Sequence, residues 1–275
     1  MGDNLKEGLV NRMLEVGAYD VKIADPSKGF DYVTELERHP LSLMPECKSV
    51  ISFIIPRSGL LDLWYLGHRR PKPQLPDYWT RRQIDKDNAP IYIVYRVFTL
   101  ITSFIMLKAI NFLNQQGFNA IEKHEKEDSP LPLEKLYAYE AGIGVYGKSG
   151  LILHPELGNR IGIGSILTDA VLTPDGRLMD FDPCSDCDLC IRTCPAQAFG
   201  LNGDYHNNWS EELCTTTRYK LKIMGTYCNT CWDVCTYGKY DDSELFFMNL
   251  EMNKHVRELQ HWTKKTLKYR VNLAN

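Results

Sequence analysis

Residues 183–200 read PCSDCDLCIRTCPAQAFG, so four cysteines fall within eleven positions and the last of them precedes a proline. The spacing is C-x2-C-x2-C-x3-C-P, the run that bacterial ferredoxins use to bind iron–sulfur clusters. Three thiolates of such a run ligate one 4Fe-4S cluster, and the fourth reaches a second cluster. Because few residues separate successive cysteines, short loops can turn their sulfurs toward a common centre. The run therefore predicts a metal-cluster domain.

The remaining cysteines supply the ligands that a second cluster needs. Of nine cysteines, eight lie between Cys184 and Cys235, and Cys47 stands apart as a predicted ordinary buried cysteine. Such clustering in a reducing compartment indicates metal binding rather than disulfides. By the crossed ligation of two-cluster ferredoxins, the predicted sets are Cys184, Cys187, Cys190 and Cys235 for one cluster and Cys194, Cys214, Cys228 and Cys231 for the other.

Structural zinc on paired C-x2-C motifs is the alternative to iron–sulfur clusters. Zinc does not explain a three-cysteine run whose fourth member leads into proline. The second half of the pattern departs from a ferredoxin repeat, because Thr236 stands where a proline would follow Cys235 and Cys214 lies inside a long gap. The sequence therefore indicates a ferredoxin module joined to a host domain.

The composition limits the partners of that host. The chain has 275 residues, of which 44% are apolar, and a net charge of −3. It can form a hydrophobic core but lacks the positive field that favours nucleic acid or an anionic membrane. The N-terminus lacks an export signal, and the uncharged run 97–107 is too short to span a bilayer, so it is interpreted as part of a buried helix. We expect a cytoplasmic protein with no membrane segment.

Hydrophobic periodicity outlines an α+β host, since apolar residues at helical spacing predict helices and β-branched runs predict strands. Residues 67–90 are polar and rich in proline, which predicts an ordered surface excursion. The predicted helices cover 3–17, 91–116 and 132–140, and the predicted strands cover 48–56, 118–122, 151–154 and 160–172, with the last two forming a hairpin.

Glycines are dense between the third helix and that hairpin, at Gly142, Gly144, Gly147 and Gly150. Glycine lets the backbone approach a flat or bulky group closely. The segment follows a helix instead of a strand, which excludes the usual dinucleotide-binding loop, and Lys148 lacks the preceding pattern of a phosphate-binding loop. Two interpretations stay open: a ligand contact, or a turn that links the helix to the hairpin.

The order of motifs resembles that of the epoxyqueuosine reductase and reductive dehalogenase superfamily, most closely from Asp128 to Tyr240. The motifs are DSP at 128–130, LEK at 133–135, AGIG at 141–144, GK at 147–148 and the split cysteine pattern. The resemblance alone implies cobalamin. It also implies an α+β protein with a nitroreductase-like corrinoid-binding domain over 1–176, a ferredoxin-like domain with two 4Fe-4S clusters over 177–245 and a helical tail over 246–275.

The resemblance also implies roles for residues outside the cysteine pattern. Asp128 matches an aspartate taken as the general acid in epoxyqueuosine reductases, and burial beside a corrin would keep its carboxyl protonated. The alternative is a loop aspartate that accepts hydrogen bonds from backbone amides ahead of the helix. The implied corrin contacts are Gly142, Gly144, Gly147, Lys148, Ile163, Thr215 and Thr216.

The implied activity is an electron relay. A low-potential electron donor protein would reduce the outer cluster, the inner cluster would reduce cobalamin, and the cobalt would reduce a small organic substrate. The alternative is an electron-transfer protein that reduces a corrinoid or a partner enzyme and has no substrate of its own.

This chain also departs from the family pattern. Val145 and Ser149 stand where tryptophan and asparagine are usual, which alters the expected pocket wall. The sequence ends at Asn275, about where epoxyqueuosine reductases continue into helical repeats that help hold tRNA. We therefore do not expect tRNA as a partner.

Overall fold

The computed structural model describes residues 2–30, 39–56, 89–122, 133–199, 210, 212–217 and 230–237, and of 89–100 the backbone only. Its helices are α1 (Gly2–Glu15), α2 (Pro40–Leu43), α3 (Ala89–Gln115), α4 (Leu133–Ala141), α5 (Leu189–Thr193) and α6 (Thr230–Asp233). Its strands are β1 (Asp20–Ala24), β2 (Ser49–Pro56), β3 (Ala120–Glu122), β4 (Val145–Tyr146), β5 (Ile152–Leu153) and β6 (Ile161–Thr168). Residues 212–217 are also helical. The mixture of helices and strands confirms the predicted α+β class.

An antiparallel sheet of four strands, in the order β1-β2-β6-β3, forms the centre of the described structure. β2 and β6 pair over their whole length, from Ser49 opposite Thr168 to Pro56 opposite Ile161. Helices α1 and α3 cover one face of the sheet and α4 covers the other. Because both faces are covered, β2 is buried up to its last residue, which explains its nearly uninterrupted apolar sequence.

A small core on the α4 side positions the candidate site. Ala138 of α4, Ile152 of β5 and Ile161 of β6 belong to it, together with Ile143 in the glycine-rich turn. This packing joins the turn after α4 to the residues that lead into β6. Both segments contact the cysteine-bearing part of the chain.

One predicted strand is too long and one predicted pairing is wrong. The strand predicted over 160–172 ends at Thr168, whose hydroxyl donates to the Asn119 carbonyl at 2.7 Å and accepts from the Ala170 amide at 3.1 Å. These hydrogen bonds belong to a turn at Thr168, where the pairing of β6 with its neighbouring strands ends. The hairpin predicted between 151–154 and 160–172 does not form, because β5 pairs with β4 while β6 lies between β2 and β3 in the main sheet.

The long helix also differs from the expectation of a buried element. Ile101, Phe104 and Leu107 of α3 are 38%, 49% and 54% exposed, while Ile105 and Ala109 face the sheet. One side of the helix therefore packs on the sheet and the other side is exposed, although apolar residues occur on both sides. Within the described residues, no helix has the length and apolar character needed to cross a membrane.

Candidate functional site

The first cysteines of the run lie on a turn followed by the short helix α5. The Cys187 amide donates a hydrogen bond to the Cys184 carbonyl at 3.1 Å, which closes the turn. Cys190 lies within α5. Cys194 follows the helix with an extended backbone, at φ −60° and ψ 116°, as expected for a residue before proline. The local sequence therefore sets both the turn and the helix end.

Four thiols, which we call the four-thiol group, affect one another's ionisation: Cys184, Cys187, Cys190 and Cys235. Burial is the main cause that raises the pKa of the Cys184, Cys190 and Cys235 thiols, that of Cys190 to about 12. Repulsion from other thiolates of the group raises these pKa values further, and the interactions connect every pair of the four sulfurs. These mutual effects place the four thiols in one region of the structure, and their assignment to one cluster stays a prediction.

The donor set fits a 4Fe-4S cluster. Four cysteine thiolates are the usual ligands of such a cluster, and coordination deprotonates thiols that burial alone would keep neutral. Among the described residues, no three His, Cys, Asp or Glu side chains converge on a point where one metal ion would bind. A tetrahedral zinc ion also accepts four cysteine thiolates. The cluster is favoured over zinc by the spacing of the run, in which three closely spaced cysteines precede a fourth that leads into proline.

Tertiary contacts bring Cys235 back to the first run of cysteines. The Asn159 side-chain amide donates to the Trp232 carbonyl at 2.9 Å, and Trp232 Nε1 donates to the Asn159 carbonyl at 2.6 Å. The Tyr237 hydroxyl donates to the Pro155 carbonyl at 3.1 Å. These bonds hold the segment on both sides of Cys235 against the turn before β6. Residues 155–159 thus fix the position of the segment that carries Cys235.

The second predicted ligand set is described in part. Cys194 follows α5, Cys231 lies in α6, and Cys214 is within the helical residues 212–217. Helices α5 and α6 pack against each other, so the helix that directly precedes Cys194 contacts the helix that carries Cys231. Cys228 lies outside the described residues. The second set stays a prediction.

The glycine-rich segment contains the turn after α4, the strand β4 and the loop of the β4–β5 hairpin, so it leads into a different hairpin from the predicted one. A Cβ at Gly142 would meet the Gly176 carbonyl oxygen at 2.1 Å, and a Cβ at Gly144 would meet the Leu153 carbonyl oxygen at 2.4 Å. The chain therefore packs against these glycines more closely than any side chain would permit. Each of the two has a structural reason to be glycine.

Gly147 and Lys148 connect this turn to the cysteine run. A Cβ at Gly147 would lie 3.3 Å from Cys184 Sγ. The Lys148 amide donates a hydrogen bond to Cys184 Sγ, which partly opposes the burial that raises the pKa of this thiol, and Lys148 Nζ donates to the Ser185 carbonyl at 3.2 Å. The predicted corrin-contact segment is therefore in direct contact with a member of the four-thiol group.

The other predicted site residues are not brought together by the described structure. Ile163 is half-buried on the α4 side of β6, and Thr215 and Thr216 are exposed. Gly144 and Gly147 are buried by the chain itself, so of the turn residues predicted to contact a corrin, Gly142 and Lys148 keep accessible surface. Asp128 lies outside the described residues, as do the excursion 67–90 and the tail 246–275. The corrin contacts stay a prediction.

The sequence analysis missed two residues of the site, Arg160 and Trp232. The signals were present, since Arg160 is a single charge ahead of the apolar strand β6 and Trp232 directly follows a cysteine. Without the fold, neither signal indicates that the guanidinium lies over the indole ring, 5.3 Å from its centroid.

We expect Gly142→Ala to destabilise the protein far more than Gly117→Ala. Both glycines follow a helix with positive φ, +83° and +87°, so alanine is strained by about 1–2 kcal/mol at either position. At Gly142 the new Cβ would also meet the Gly176 carbonyl, whereas at Gly117 nothing lies within 4 Å. Urea denaturation should show a loss of about 3 kcal/mol or more for Gly142→Ala. Equal losses for the two variants would contradict the close approach.

No family model matches the chain. Among curated proteins, the epoxyqueuosine reductase of Staphylococcus aureus is 29% identical over 132 residues, covering 45% of this chain and 34% of that protein. The epoxyqueuosine reductase of Synechocystis sp. is 30% identical over 144 residues, covering 48% of this chain and 49% of that protein. The chain therefore spans less than half the length of these relatives.

Solved structures share the fold. A reductive dehalogenase, whose structure suggests a mechanism for B12-dependent dehalogenation, has a TM-score of 0.62 at 18% identity, covering 94% of this chain and 35% of that one. Two solved epoxyqueuosine reductases have TM-scores of 0.51 at 18% identity, each covering 85% of this chain and 65% of theirs. One, from Bacillus subtilis, has an aspartate-bearing catalytic loop swung out of the active site, and the other holds an epoxyqueuosine-modified tRNA-Tyr stem loop. These findings confirm the resemblance to this superfamily.

The expectation that excluded tRNA as a partner, and with it the small-molecule substrate, is corrected by these comparisons. That expectation relied on the C-terminal end of the sequence, where the helical repeats of the relatives would follow. The solved epoxyqueuosine reductase with bound tRNA stem loop shares its fold with 85% of this chain. The same fold therefore occurs in a protein that binds modified tRNA, and the C-terminal residues alone do not exclude tRNA as a partner.

Proposed function

Because the chain shares sequence and fold with the epoxyqueuosine reductase and reductive dehalogenase superfamily, we propose that it is an iron–sulfur oxidoreductase of the cobalamin-dependent type. The observation that carries the proposal is the four-thiol group, in which Cys235 joins the three cysteines of the first run. One 4Fe-4S cluster would be held there, and a second by Cys194, Cys214, Cys228 and Cys231.

The proposed division of the chain follows from the same pattern. Residues 1–176 would form the nitroreductase-like domain, 177–245 the ferredoxin-like domain and 246–275 a helical tail. The bond from Lys148 to the Ser185 carbonyl and the bonds between Asn159 and Trp232 cross the proposed boundaries. They support a close association of the two domains, which short-range electron transfer requires.

The chain's own residues would bind and orient the cofactors and supply a proton. The cysteines would hold the clusters, and a corrin could contact Lys148, which adjoins Cys184, and the surface that Gly142 and Ile163 keep elsewhere. Bound cobalamin supplies a strongly reducing cobalt centre. Asp128 is proposed as the general acid, and the aspartate-bearing catalytic loop of the Bacillus subtilis relative supports an aspartate in this role.

The proposed substrate class is a modified nucleoside carried on tRNA, of the epoxyqueuosine type. The sequence relatives are named epoxyqueuosine reductase, and their alignments cover up to about half of this chain. One solved relative holds such a tRNA stem loop. The reductive dehalogenase likeness is one of fold, at 18% identity. A low-potential electron donor protein is required in either case.

We expect the anaerobically purified chain to contain about eight iron and about eight sulfide ions, as two 4Fe-4S clusters require. Added cobalamin should bind, and the reduced protein should convert an epoxyqueuosine-bearing stem loop to its reduced product. The matched control is the same stem loop without the modification. Zinc in place of iron would contradict the cluster proposal, and loaded clusters that bind no cobalamin would favour a pure electron-transfer protein.

A further inference from the structure

The buried side chain of His154 shapes the turn that precedes β6. The His154 backbone exchanges two hydrogen bonds of 2.9 Å with Gly158. His154 Nδ1 accepts hydrogen bonds from the Glu156 amide at 3.1 Å and from the Leu157 amide at 3.3 Å. A ring nitrogen that accepts carries no proton, so the ring hydrogen lies on Nε2. The imidazole therefore supplies the acceptor that these two amides of the turn need.

The start of β1 holds this imidazole from another side. His154 Nε2 lies 3.5 Å from Asp20 Oδ2, and the Tyr19 ring packs edge to face on the imidazole with 5.8 Å between centroids. The Tyr19 hydroxyl also donates a hydrogen bond to Glu156 Oε2 in the same turn. The main sheet therefore sets the orientation of the His154 ring and, through it, the shape of the turn.

The same turn binds residues 230–237, which we call the cysteine segment. Asn159 exchanges two hydrogen bonds with Trp232, and the Pro155 carbonyl accepts one from the Tyr237 hydroxyl. Two of these three bonds end on carbonyl groups of the turn, so they form only when its backbone has this conformation. The cysteine segment carries one cysteine from the first predicted ligand set and one from the second.

We propose that His154 is a positioning residue, which shapes the turn so that the host domain holds the cysteine segment in place for cluster binding. The consequence for the clusters rests on the proposed function, whereas the docking of the segment does not. An apolar residue at this position would leave two amides without their acceptor, and unsatisfied buried donors are costly. The turn would then change shape, and the cysteine segment would lose its partners.

The test compares His154→Leu with His154→Asn in cluster-loaded protein. In His154→Leu, a chelator should remove iron about tenfold faster and the amides of 230–237 should exchange with deuterium about tenfold faster, as loss of one hydrogen bond predicts. An asparagine side chain accepts from the amide two residues ahead, as Nδ1 does here, so His154→Asn should stay within about twofold of the unaltered protein. Equal acceleration in both variants would overturn the role of the acceptor.

His39→Leu is the matched control. His39 Nδ1 accepts from the Leu41 amide at 3.1 Å, so this variant removes the same kind of bond at the start of α2, where the ring packs on Phe30. Iron release and exchange of 230–237 should not change in this variant. Acceleration equal to that of His154→Leu would overturn the inference, as would unaltered rates in His154→Leu itself.

If His154→Leu does not fold, deuterium exchange in the unaltered protein decides. The Glu156 and Leu157 amides should be protected and should open together with the amides of 230–237, as one cooperative unit. Exchange of Glu156 and Leu157 at the rate of exposed amides would overturn the inference. Zinc in place of iron would contradict the proposed function, but the exchange of 230–237 would still decide the role of His154.

Discussion

Replacing Cys235 with alanine is expected to reduce the iron content from about eight to about four ions per chain. Cys235 and the other members of the four-thiol group raise one another's thiol pKa values, and the nearest cysteine in sequence, Cys231, is assigned to the other proposed ligand set. A cluster with three protein ligands is exposed to loss of iron, while the second cluster keeps its own set. The measurement is iron and sulfide analysis together with the visible absorption of anaerobically purified protein.

Cys47→Ala is the matched control for this variant. Cys47 is 1% exposed, packs in the core on the α4 side of the sheet and donates a weak hydrogen bond to the Ser49 carbonyl at 3.3 Å. This confirms the prediction of an ordinary buried cysteine, so its loss should leave the iron content unchanged. Full iron in Cys235→Ala would contradict the ligand assignment, as would iron loss in Cys47→Ala.

Asp128→Asn is expected to lower turnover of the modified tRNA substrate by about 10²–10⁴-fold while both clusters and the bound cobalamin remain. Asparagine has nearly the same shape but cannot donate the proton that a general acid supplies. The effect should appear in kcat more than in KM, because the lost interaction is with the reacting group. Single-turnover kinetics with pre-reduced protein measure it without interference from the electron donor.

Glu127→Gln is the control, since it removes the neighbouring carboxylate from the same segment of sequence. This variant should keep near-normal turnover. If Asp128→Asn kept full turnover, Asp128 would be a loop residue without a role in proton transfer, and the electron relay would be unaffected.

The cysteine spacing indicated the turn and the helix end around the first cysteines because these are local structures. Cys184, Cys187 and Cys190 are close in sequence, so their relative positions follow from a few backbone angles. The contribution of Cys235 followed from the crossed pattern of ferredoxins. The reason that it returns is tertiary, because Asn159 and Trp232 are 73 residues apart and their bonds form only in the folded chain.

The glycine-rich turn shows where sequence reasoning stopped. Its glycines were correctly read as positions of close approach, but the approaching atoms come from distant parts of the chain. Gly142 packs on the Gly176 carbonyl and Gly147 packs near Cys184. The missed pairing of β4 with β5 has the same origin, since two-residue strands carry too little periodicity to be recognised.

The burial of Arg160 and the exposure of one side of α3 could not be predicted from the sequence, for a related reason. The sequence of α3 is apolar on both sides, so periodicity could not reveal that Phe104 and Leu107 are exposed. Likewise, one arginine ahead of an apolar strand is compatible with many environments. Burial of these residues depends on the arrangement of whole elements.

The central claim is that Cys184, Cys187, Cys190 and Cys235 share one 4Fe-4S cluster. The most direct test is an anaerobic crystal structure with anomalous diffraction measured on both sides of the iron absorption edge. We predict an iron signal enclosed by the four Sγ atoms of this group. A zinc signal at that position, or an iron signal that Cys194 ligates in place of Cys235, would contradict the claim.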